Sequence, residues 1–205
     1  YTDTITATDS ASFIDSAIVQ SETGRIFMLA DAQPSECGYL QCKTGTGYIE
    51  LNGKKHLLLT DGQNGDKLST FGFYIGNFEG DFAPVLSRND SKITEYSVDR
   101  EYRLYKNGKP IYADQKGADG VKIHQNIFFS SADLKCYKTT YLWLRYSDDN
   151  GKTWSDPTII TPQVKEDREG FFGIGPGRGF VTTLADGTER ILFCASKWWG
   201  DPDMP

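Results

Sequence analysis

Asn-Gly and Asp-Gly pairs recur between short apolar runs of this chain, and they limit its possible folds more than any other feature. The pairs at 52–53, 107–108 and 186–187 each separate two runs rich in β-branched and aromatic residues. Such pairs readily adopt the positive φ values of the tight turns that join antiparallel strands. "SAIVQSETGRIFMLA" adds a further hairpin, with Gly24 in its turn. Successive hairpins of this kind predict an all-β fold: a sandwich, a barrel or a propeller.

Helical patterning is nearly absent from the sequence. The best candidate, "QVKEDREGFF" at 163–172, has suitable apolar spacing for at most one or two helical turns. The 205 residues are 38% hydrophobic and 13% aromatic, which suits a globular protein with one sizeable core or two small ones. The composition is therefore compatible with an all-β globular chain.

Net charge and hydropathy argue against two classes of partner. With a formal net charge of −6, the chain lacks the clustered cations that binding to nucleic acid phosphates requires. No apolar run approaches the roughly 20 residues of a membrane-spanning helix. The sequence opens at Tyr1 without an initiator methionine or the pattern of an export signal, so we expect it to be a piece of a longer protein.

The cysteines give little information about the cellular compartment. Cys37 and Cys42 are close enough in sequence to form a bridge or to bind a metal, whereas Cys136 and Cys194 do not form a second close pair. The chain has only two histidines, which favours ordinary thiols over a zinc site. No metal or cofactor is predicted.

One hairpin carries a recognisable pattern, Ser147-x-Asp149-x-Gly151-x-Thr153-Trp154. An ionised aspartate in a turn can accept several backbone N–H bonds, and glycine supplies the φ that a β-branched residue resists. Each position therefore has a structural role that needs no substrate. The five residues match the Asp-box of sialidases and other propeller proteins, a motif that also occurs in unrelated β folds.

Two longer stretches resemble a known enzyme family. Residues 13–31 and 139–181 are similar to the secreted bacterial exo-sialidases, including the intramolecular trans-sialidases, and the order of features agrees. A hairpin is followed by a long insert, the Asp-box, "TP-x-VK-x-D" and "GxGPGxG". The resemblance covers most of 10–60 and 95–195. It implies a partial six-bladed β-propeller, with blade strands at 1–44, a β-rich insertion at 45–130 and a further blade with the Asp-box at 131–205.

The same resemblance implies a reaction and a substrate. Members of the family cleave or transfer terminal α-linked sialic acid with retention, using a tyrosine activated by a glutamate as the nucleophile. An aspartate serves as acid/base, and three arginines bind the sialate carboxylate. None of these groups has a match between Tyr1 and Pro205, so no catalytic residue is predicted in this chain. We expect the chain alone to be inactive and to need the remainder of the propeller as its partner.

Three residues of this chain match substrate-binding positions of the family. Asp15 matches an aspartate that contacts the sugar near its 4-hydroxyl and N-acetyl groups. Tyr39 and Leu40 fall where the family places apolar side chains around the N-acetyl methyl group. The structural alternatives are a turn or capping role for Asp15 and plain core packing for Tyr39 and Leu40.

Other residues near this region depart from the family pattern or have simpler interpretations. Ser196 stands where the family has a pocket tyrosine, and Trp198 and Trp199 are candidates for the rim of the site. The acidic cluster at 166–169 predicts a solvated face. The glycine-rich loop at 173–179 lacks the Lys-Ser/Thr and the helix of a phosphate loop, and in the family it lies close to the pocket.

The predicted function is therefore that of part of an exo-α-sialidase acting on sialylated glycans, secreted or exposed on a bacterial cell surface. The alternative is a non-catalytic carbohydrate-binding or adhesive propeller, because Asp-boxes also occur in proteins that lack hydrolytic activity. The two hypotheses differ in whether the parent protein carries the Arg-Ile-Pro motif and the late Tyr–Glu pair.

Overall fold

A computed structural model describes residues 11–62, 67–117 and 120–199, apart from the side chains of Gln115 and Trp199. The described residues are nearly all in strands and loops, with one 3-10 turn and one short α-helix. The strands are β1 (Ser12–Gln20), β2 (Ile26–Gln33), β3 (Tyr48–Leu51), β4 (Lys54–Thr60), β5 (Phe73–Ile75), β6 (Phe82–Ser87), β7 (Ile93–Asp99), β8 (Leu104–Lys106), β9 (Lys109–Pro110), β10 (Tyr112–Lys116), β11 (Lys122–His124), β12 (Lys135–Cys136), β13 (Tyr141–Ser147), β14 (Thr158–Ile159), β15 (Glu169–Ile174), β16 (Gly177–Arg178), β17 (Phe180–Thr183), β18 (Glu189–Leu192) and β19 (Ala195–Trp199). The 3-10 turn is Leu68–Thr70 and the helix α1 is Thr161–Val164.

A five-stranded sheet holds both stretches on which the family resemblance depends. Its strand order is β14-β13-β2-β1-β16. The hairpin β1–β2 turns at Gly24, whose φ of 92° is the left-handed value predicted for it. β13 pairs antiparallel with the other edge of β2, and β16 pairs parallel with β1. Residues more than a hundred positions apart in sequence therefore meet in one sheet.

The second large sheet is formed by residues between Tyr48 and Cys136. Its order is β12-β4-β5-β6-β7-β8-β9, and β3 also pairs with β4. The hairpins at 52–53 and 107–108 turn as predicted, with φ of 52° and 74° at the first pair and 50° and 72° at the second. This sheet fills the predicted insertion, although the division of the chain at 44 and 130 stays a prediction.

An aromatic core joins the two large sheets. The Trp143 ring on β13 lies 4.6 Å from the Phe13 ring on β1 and 5.5 Å from the Phe128 ring, which precedes β12 of the second sheet. Phe128 in turn meets Tyr141 edge-on at 5.4 Å. Aromatic pairs in this geometry stabilise by about 0.5–1.5 kcal/mol each beyond their burial. The shared core holds the five-stranded sheet in a fixed position against the second one.

Two sequence predictions of local structure are only partly right. The β-forming residues of "KTWSDPTII" predict an outgoing strand over 152–160 after the Asp-box turn, but the strand is only Thr158–Ile159, because the residues before it form that turn. The helix Thr161–Val164 lies earlier than the predicted 163–172, since Pro162 fixes a helical φ near its start. The rest of that segment extends into β15.

Candidate functional site

Asp15 lies in a β-bulge of β1. The pairing of β1 with β2 shifts between Ile14 and Ala17, and Asp15 there has a φ of 53°. Aspartate tolerates this left-handed conformation better than most residues, and a bulge re-aims the side chain that it carries. The side chain is exposed, and among the described residues its carboxylate has no hydrogen-bond partner. The predicted alternative of a capping aspartate is therefore not supported by a capping bond.

A second carboxyl group, that of Asp31, lies beside Asp15. Asp31 pairs with Ile14 across the hairpin and is fully buried. Its Oδ1 accepts a hydrogen bond of 2.9 Å from the backbone N–H of Ile174, whereas its Oδ2 has no partner among the described residues. Burial raises the pKa of Asp31 to about 7, and the negative charge of Asp15 adds to the rise. The pair therefore places a buried acid next to an exposed one.

Gly173 on β15 brings aromatic side chains to the same place. A Cβ atom at this position would lie 2.2 Å from the Phe171 ring and 2.3 Å from Asp31 Oδ2, so only glycine fits. The Phe171 ring also lies 4.7 Å from the ring of Tyr39. We call these four side chains, Asp15, Asp31, Tyr39 and Phe171, the carboxylate–aromatic cluster.

Tyr39 lies at the edge of this cluster, and both Tyr39 and its neighbour Leu40 are surface residues. Tyr39 is 51% exposed and Leu40 is 70% exposed. The structural alternative of plain core packing is therefore wrong for both residues. Large apolar side chains that remain open to solvent beside an aromatic ring are available to contact a ligand, although their role in binding stays a prediction.

A buried charge network supports β15 beneath the cluster. Lys165 is 5% exposed, its Nζ donates to Thr139 Oγ1, and burial lowers its pKa to about 8. Glu169 is 1% exposed and accepts hydrogen bonds of 2.8 Å from Lys197 Nζ and from the backbone N–H of Glu166. The prediction of a solvated face at 166–169 is therefore wrong for Glu169, because the turn after α1 directs its side chain inward.

Trp198 packs into the site from β19. It covers a small apolar group formed by Cys37, Cys42 and Phe171. A Cβ atom at Gly170 would lie 2.6 Å from the Trp198 ring, so this glycine permits the close approach. Trp198 thus packs against the group that contains Phe171. The side chain of Trp199 lies outside the described residues. Ser196, where the family has a tyrosine, pairs with Gly173 in the β15–β19 ladder.

The Asp-box forms a hydrogen-bonded turn at the far end of β13. Asp149 Oδ1 accepts from Ser147 Oγ at 2.8 Å and from the Thr153 backbone N–H at 2.9 Å. Oδ2 accepts from Thr153 Oγ1 at 2.6 Å, and the Gly151 N–H donates to Ser147 Oγ at 2.8 Å. Ser147 pairs with Ile26, five residues along β2 from Asp31, a separation of about 17 Å. The turn therefore does not border the carboxylate–aromatic cluster.

We expect Asp149→Asn to lower the urea midpoint of unfolding at pH 7, because the amide cannot accept all of these bonds. The bonds hold the pKa of Asp149 at about 2, led by the Thr153 hydroxyl. Because the folded-state pKa of Asp149 lies below the unfolded-state pKa near 4, the ionised carboxylate stabilises the protein at pH values above about 4. This stabilisation is lost as the pH falls toward 2. The gap between the midpoints of wild type and variant should therefore close over that range. A gap that stays constant from pH 7 to pH 2 would contradict the assignment.

Sequence reasoning missed Asp31, Phe171 and the Lys165–Glu169 network. One signal was present for Asp31, which is a single charged residue within the apolar run "IFMLADA". A charge in a buried strand is uncommon unless it has a specific partner. Phe171 and Lys165 carry no such signal, because their positions depend on how β15 packs against β2.

Two further properties of the described residues bear on the kind of site. No group of three or more histidine, cysteine, aspartate or glutamate side chains that could hold a metal ion occurs there. In the same ranges, no helix has the length and apolar character that crossing a membrane requires. The exposed groups of the site are thus a carboxylate and apolar side chains, presented by a nearly all-β fold.

The nearly all-β chain matches solved sialidase structures, which are β-propellers, and this makes it a segment of a β-propeller domain. No protein-family model matches the chain. The chain is 30% identical over 195 residues to an anhydrosialidase of the leech Macrobdella decora, covering 89% of this chain and 25% of that protein. It is 27% identical over 197 residues to sialidase B of Streptococcus pneumoniae, covering 90% and 26%. The chain thus spans about a quarter of the length of these curated relatives.

Solved structures give the same result. A leech intramolecular trans-sialidase complexed with 2,7-anhydro-Neu5Ac matches with a TM-score of 0.78 and 30% identity, over 93% of this chain and 29% of that one. The intramolecular trans-sialidase of Ruminococcus gnavus, in complex with oseltamivir carboxylate, matches with a TM-score of 0.74 and 33% identity, over 87% and 38%. The chain belongs to the sialidase family, as its sequence predicted.

Proposed function

We propose that this chain forms one wall of the sialic acid pocket in a protein that cleaves or transfers terminal α-linked sialic acid. The observation that carries the proposal is the carboxylate–aromatic cluster, in which a strained bulge presents Asp15 to solvent next to the buried Asp31. Phe171 lies close to Asp31 at Gly173 and contacts the exposed ring of Tyr39. Backbone strain of this kind is found preferentially at functional sites, where the surrounding structure holds it in place. The family membership supports the choice of ligand.

The chemistry of the cluster suits an N-acetylated sugar acid. An exposed carboxylate such as Asp15 accepts hydrogen bonds from hydroxyl and amide N–H groups, which the sugar carries at its 4-position and its N-acetyl group. Tyr39 and Leu40 offer apolar surface for the acetyl methyl group. Asp31 lies behind Asp15, and Phe171 supports the ring of Tyr39.

The reaction itself follows from the family resemblance. We infer a retaining mechanism with a tyrosine–glutamate nucleophile, an aspartate acid/base and three arginines on the sialate carboxylate, none of them matched in this chain. The remainder of the propeller would supply these groups. We also infer that the protein acts outside the cell or on its surface, since sialylated glycans are encountered there.

The test is turnover of a fluorogenic sialoside by the full-length gene product. We expect release of the fluorophore, and no release from the matching fluorogenic galactoside, because a galactoside lacks both the carboxylate and the N-acetyl group. Binding of the sialoside without release would instead support the non-catalytic carbohydrate-binding propeller. If the protein neither binds nor cleaves the sialoside, both hypotheses are contradicted.

The 205-residue chain without the rest of the protein serves as a control in this assay. Since no residue of the chain matches a catalytic group of the family, it should release no fluorophore. Turnover by the chain alone would show that the proposed division of roles between this wall and the rest of the pocket is wrong.

A further inference from the structure

Two cysteines flank the loop that carries Tyr39 and Leu40. Cys37 and Cys42 are free thiols in the structure, each buried, with their Sγ atoms 2.9 Å apart. The residues between them, 38–41, form the exposed edge of the candidate pocket. The two sulfur atoms therefore lie at the base of a six-residue loop whose tip faces solvent.

The backbone of the loop already holds the two cysteines in register. The N–H groups of Gln41 and Cys42 donate to Gly38 O at 3.0 and 3.1 Å, which folds 38–42 into a tight turn. The Cys37 N–H donates to Pro34 O at 3.0 Å, which fixes the backbone at the start of the loop. A disulfide has an S–S distance of about 2.05 Å, so closing the bond requires the sulfurs to approach by about 1 Å.

The surroundings of the pair favour thiol chemistry at Cys42. A hydrogen bond from the Cys37 thiol lowers the pKa of Cys42; burial opposes this effect, and the nearby charge of Lys165 adds to it. The same hydrogen bond and burial both raise the pKa of Cys37. A cysteine with a depressed pKa beside a cation is the member of a pair that attacks. Phe171 and Trp198 pack over both sulfurs, so the reaction requires the loop at 38–41 to open.

We propose that Cys37 and Cys42 form a covalent cross-linking site, closed by a small-molecule or protein disulfide as the oxidant. The Cys42 thiolate attacks the disulfide and displaces one thiolate of the oxidant. Cys37 then attacks Cys42 Sγ and displaces the second, so that the two cysteine protons end on the two released thiols. Two electrons pass from the cysteine pair to the oxidant, and the S–S bond is transferred.

The cross-link fixes the side chains at the tip of the loop. With its ends joined, the loop 38–41 has fewer conformations, and Tyr39 stays on the Phe171 ring. A pre-organised wall binds its ligand better, because less conformational freedom is lost on binding. This consequence for the ligand rests on the proposed sialic acid pocket, whereas the cross-link itself does not.

Peptide mass analysis of the full-length protein tests the cross-link directly. Trypsin should release 26–43 as one peptide with both cysteines, since no lysine or arginine lies between Arg25 and Lys43. After treatment of the native protein with oxidised glutathione and alkylation, this peptide should be two hydrogen atoms lighter than the dithiol and carry no alkyl group. The peptides with Cys136 and Cys194 each hold a single cysteine, cannot form an internal bond and serve as controls for the mass difference. Full alkylation of 26–43, or a glutathione adduct that persists on it, would overturn the proposal.

Kinetics test the effect on the pocket. We expect KM for the fluorogenic sialoside to be about 3- to 10-fold lower in the oxidised protein than after reduction with dithiothreitol. The Cys37→Ser and Cys42→Ser variants should lose this difference, and the control Cys194→Ser should keep it. A cross-linked peptide with an unchanged KM would overturn the role in positioning. A cross-linked peptide in a protein without any turnover would instead count against the proposed function and leave the cross-link supported.

Discussion

Replacing Asp15 by glycine is expected to lower kcat/KM of the full-length protein for a fluorogenic sialoside by about 10- to 100-fold. Hydrogen bonds to a charged group contribute about 1.5–3 kcal/mol each, and the glycine variant loses the acceptor. Glycine is the appropriate replacement because it adopts the φ of 53° at this position without strain. The measurement is steady-state turnover, with the urea midpoint recorded for each variant.

Matched variants separate the loss of the carboxylate from other causes. Asp15→Asn keeps one oxygen acceptor and should fall between wild type and the glycine variant. Asp81→Ala removes another exposed carboxylate, in the turn before β6 of the second sheet, and should leave turnover unchanged. Wild-type kinetics for both Asp15 variants would rule out a role for this residue in binding.

Glu169→Ala is expected to have the largest effect on stability, lowering the free energy of unfolding by about 1–3 kcal/mol. The carboxylate is 1% exposed, bonded to Lys197 at 2.8 Å and close to the buried Lys165. Its removal takes one of several nearby negative charges away from the buried Lys165 and leaves the Glu166 N–H without its acceptor. Chemical denaturation of the purified variant measures the loss.

The neighbouring Glu166 provides the control for this prediction. Its carboxylate is exposed and forms an ion pair of 2.7 Å with the exposed Arg168. Surface pairs of this kind contribute about 0–1 kcal/mol, so Glu166→Ala should be nearly neutral. Equal losses for the two variants would mean that the burial of Glu169 has no energetic consequence.

Much of the local fold could be predicted from the sequence because turn chemistry is local. Asn52-Gly53 and Asn107-Gly108 adopt positive φ values wherever the flanking strands pair, and Gly24 does the same in the first hairpin. The failures occurred where a different local interaction prevailed. The residues after Asp149 turn to donate to its carboxylate, which shortens the outgoing strand to Thr158–Ile159.

The candidate site could be predicted only in part. The family resemblance indicated Asp15, Tyr39 and Leu40, and the structure places Asp15 and Tyr39 in one cluster through Asp31 and Phe171. The connecting residues could not be found in the sequence, because β15 follows the Asp-box by many residues and no short pattern says which strand it will face. The solvated face predicted at 166–169 was wrong for Glu169 for the same reason.

The sequence by itself determined the hairpins, the Asp-box turn and the family, since each depends on residue types at short, fixed spacings. Only the tertiary structure decided which carboxylates are buried and which thiols lie within reach of each other. Burial and charge proximity are properties of the packed chain: burial raises the pKa of Asp31, and the hydrogen bond from the Ile174 N–H offsets only part of that rise. The same packing brings the Cys37 and Cys42 sulfurs together beneath the exposed loop.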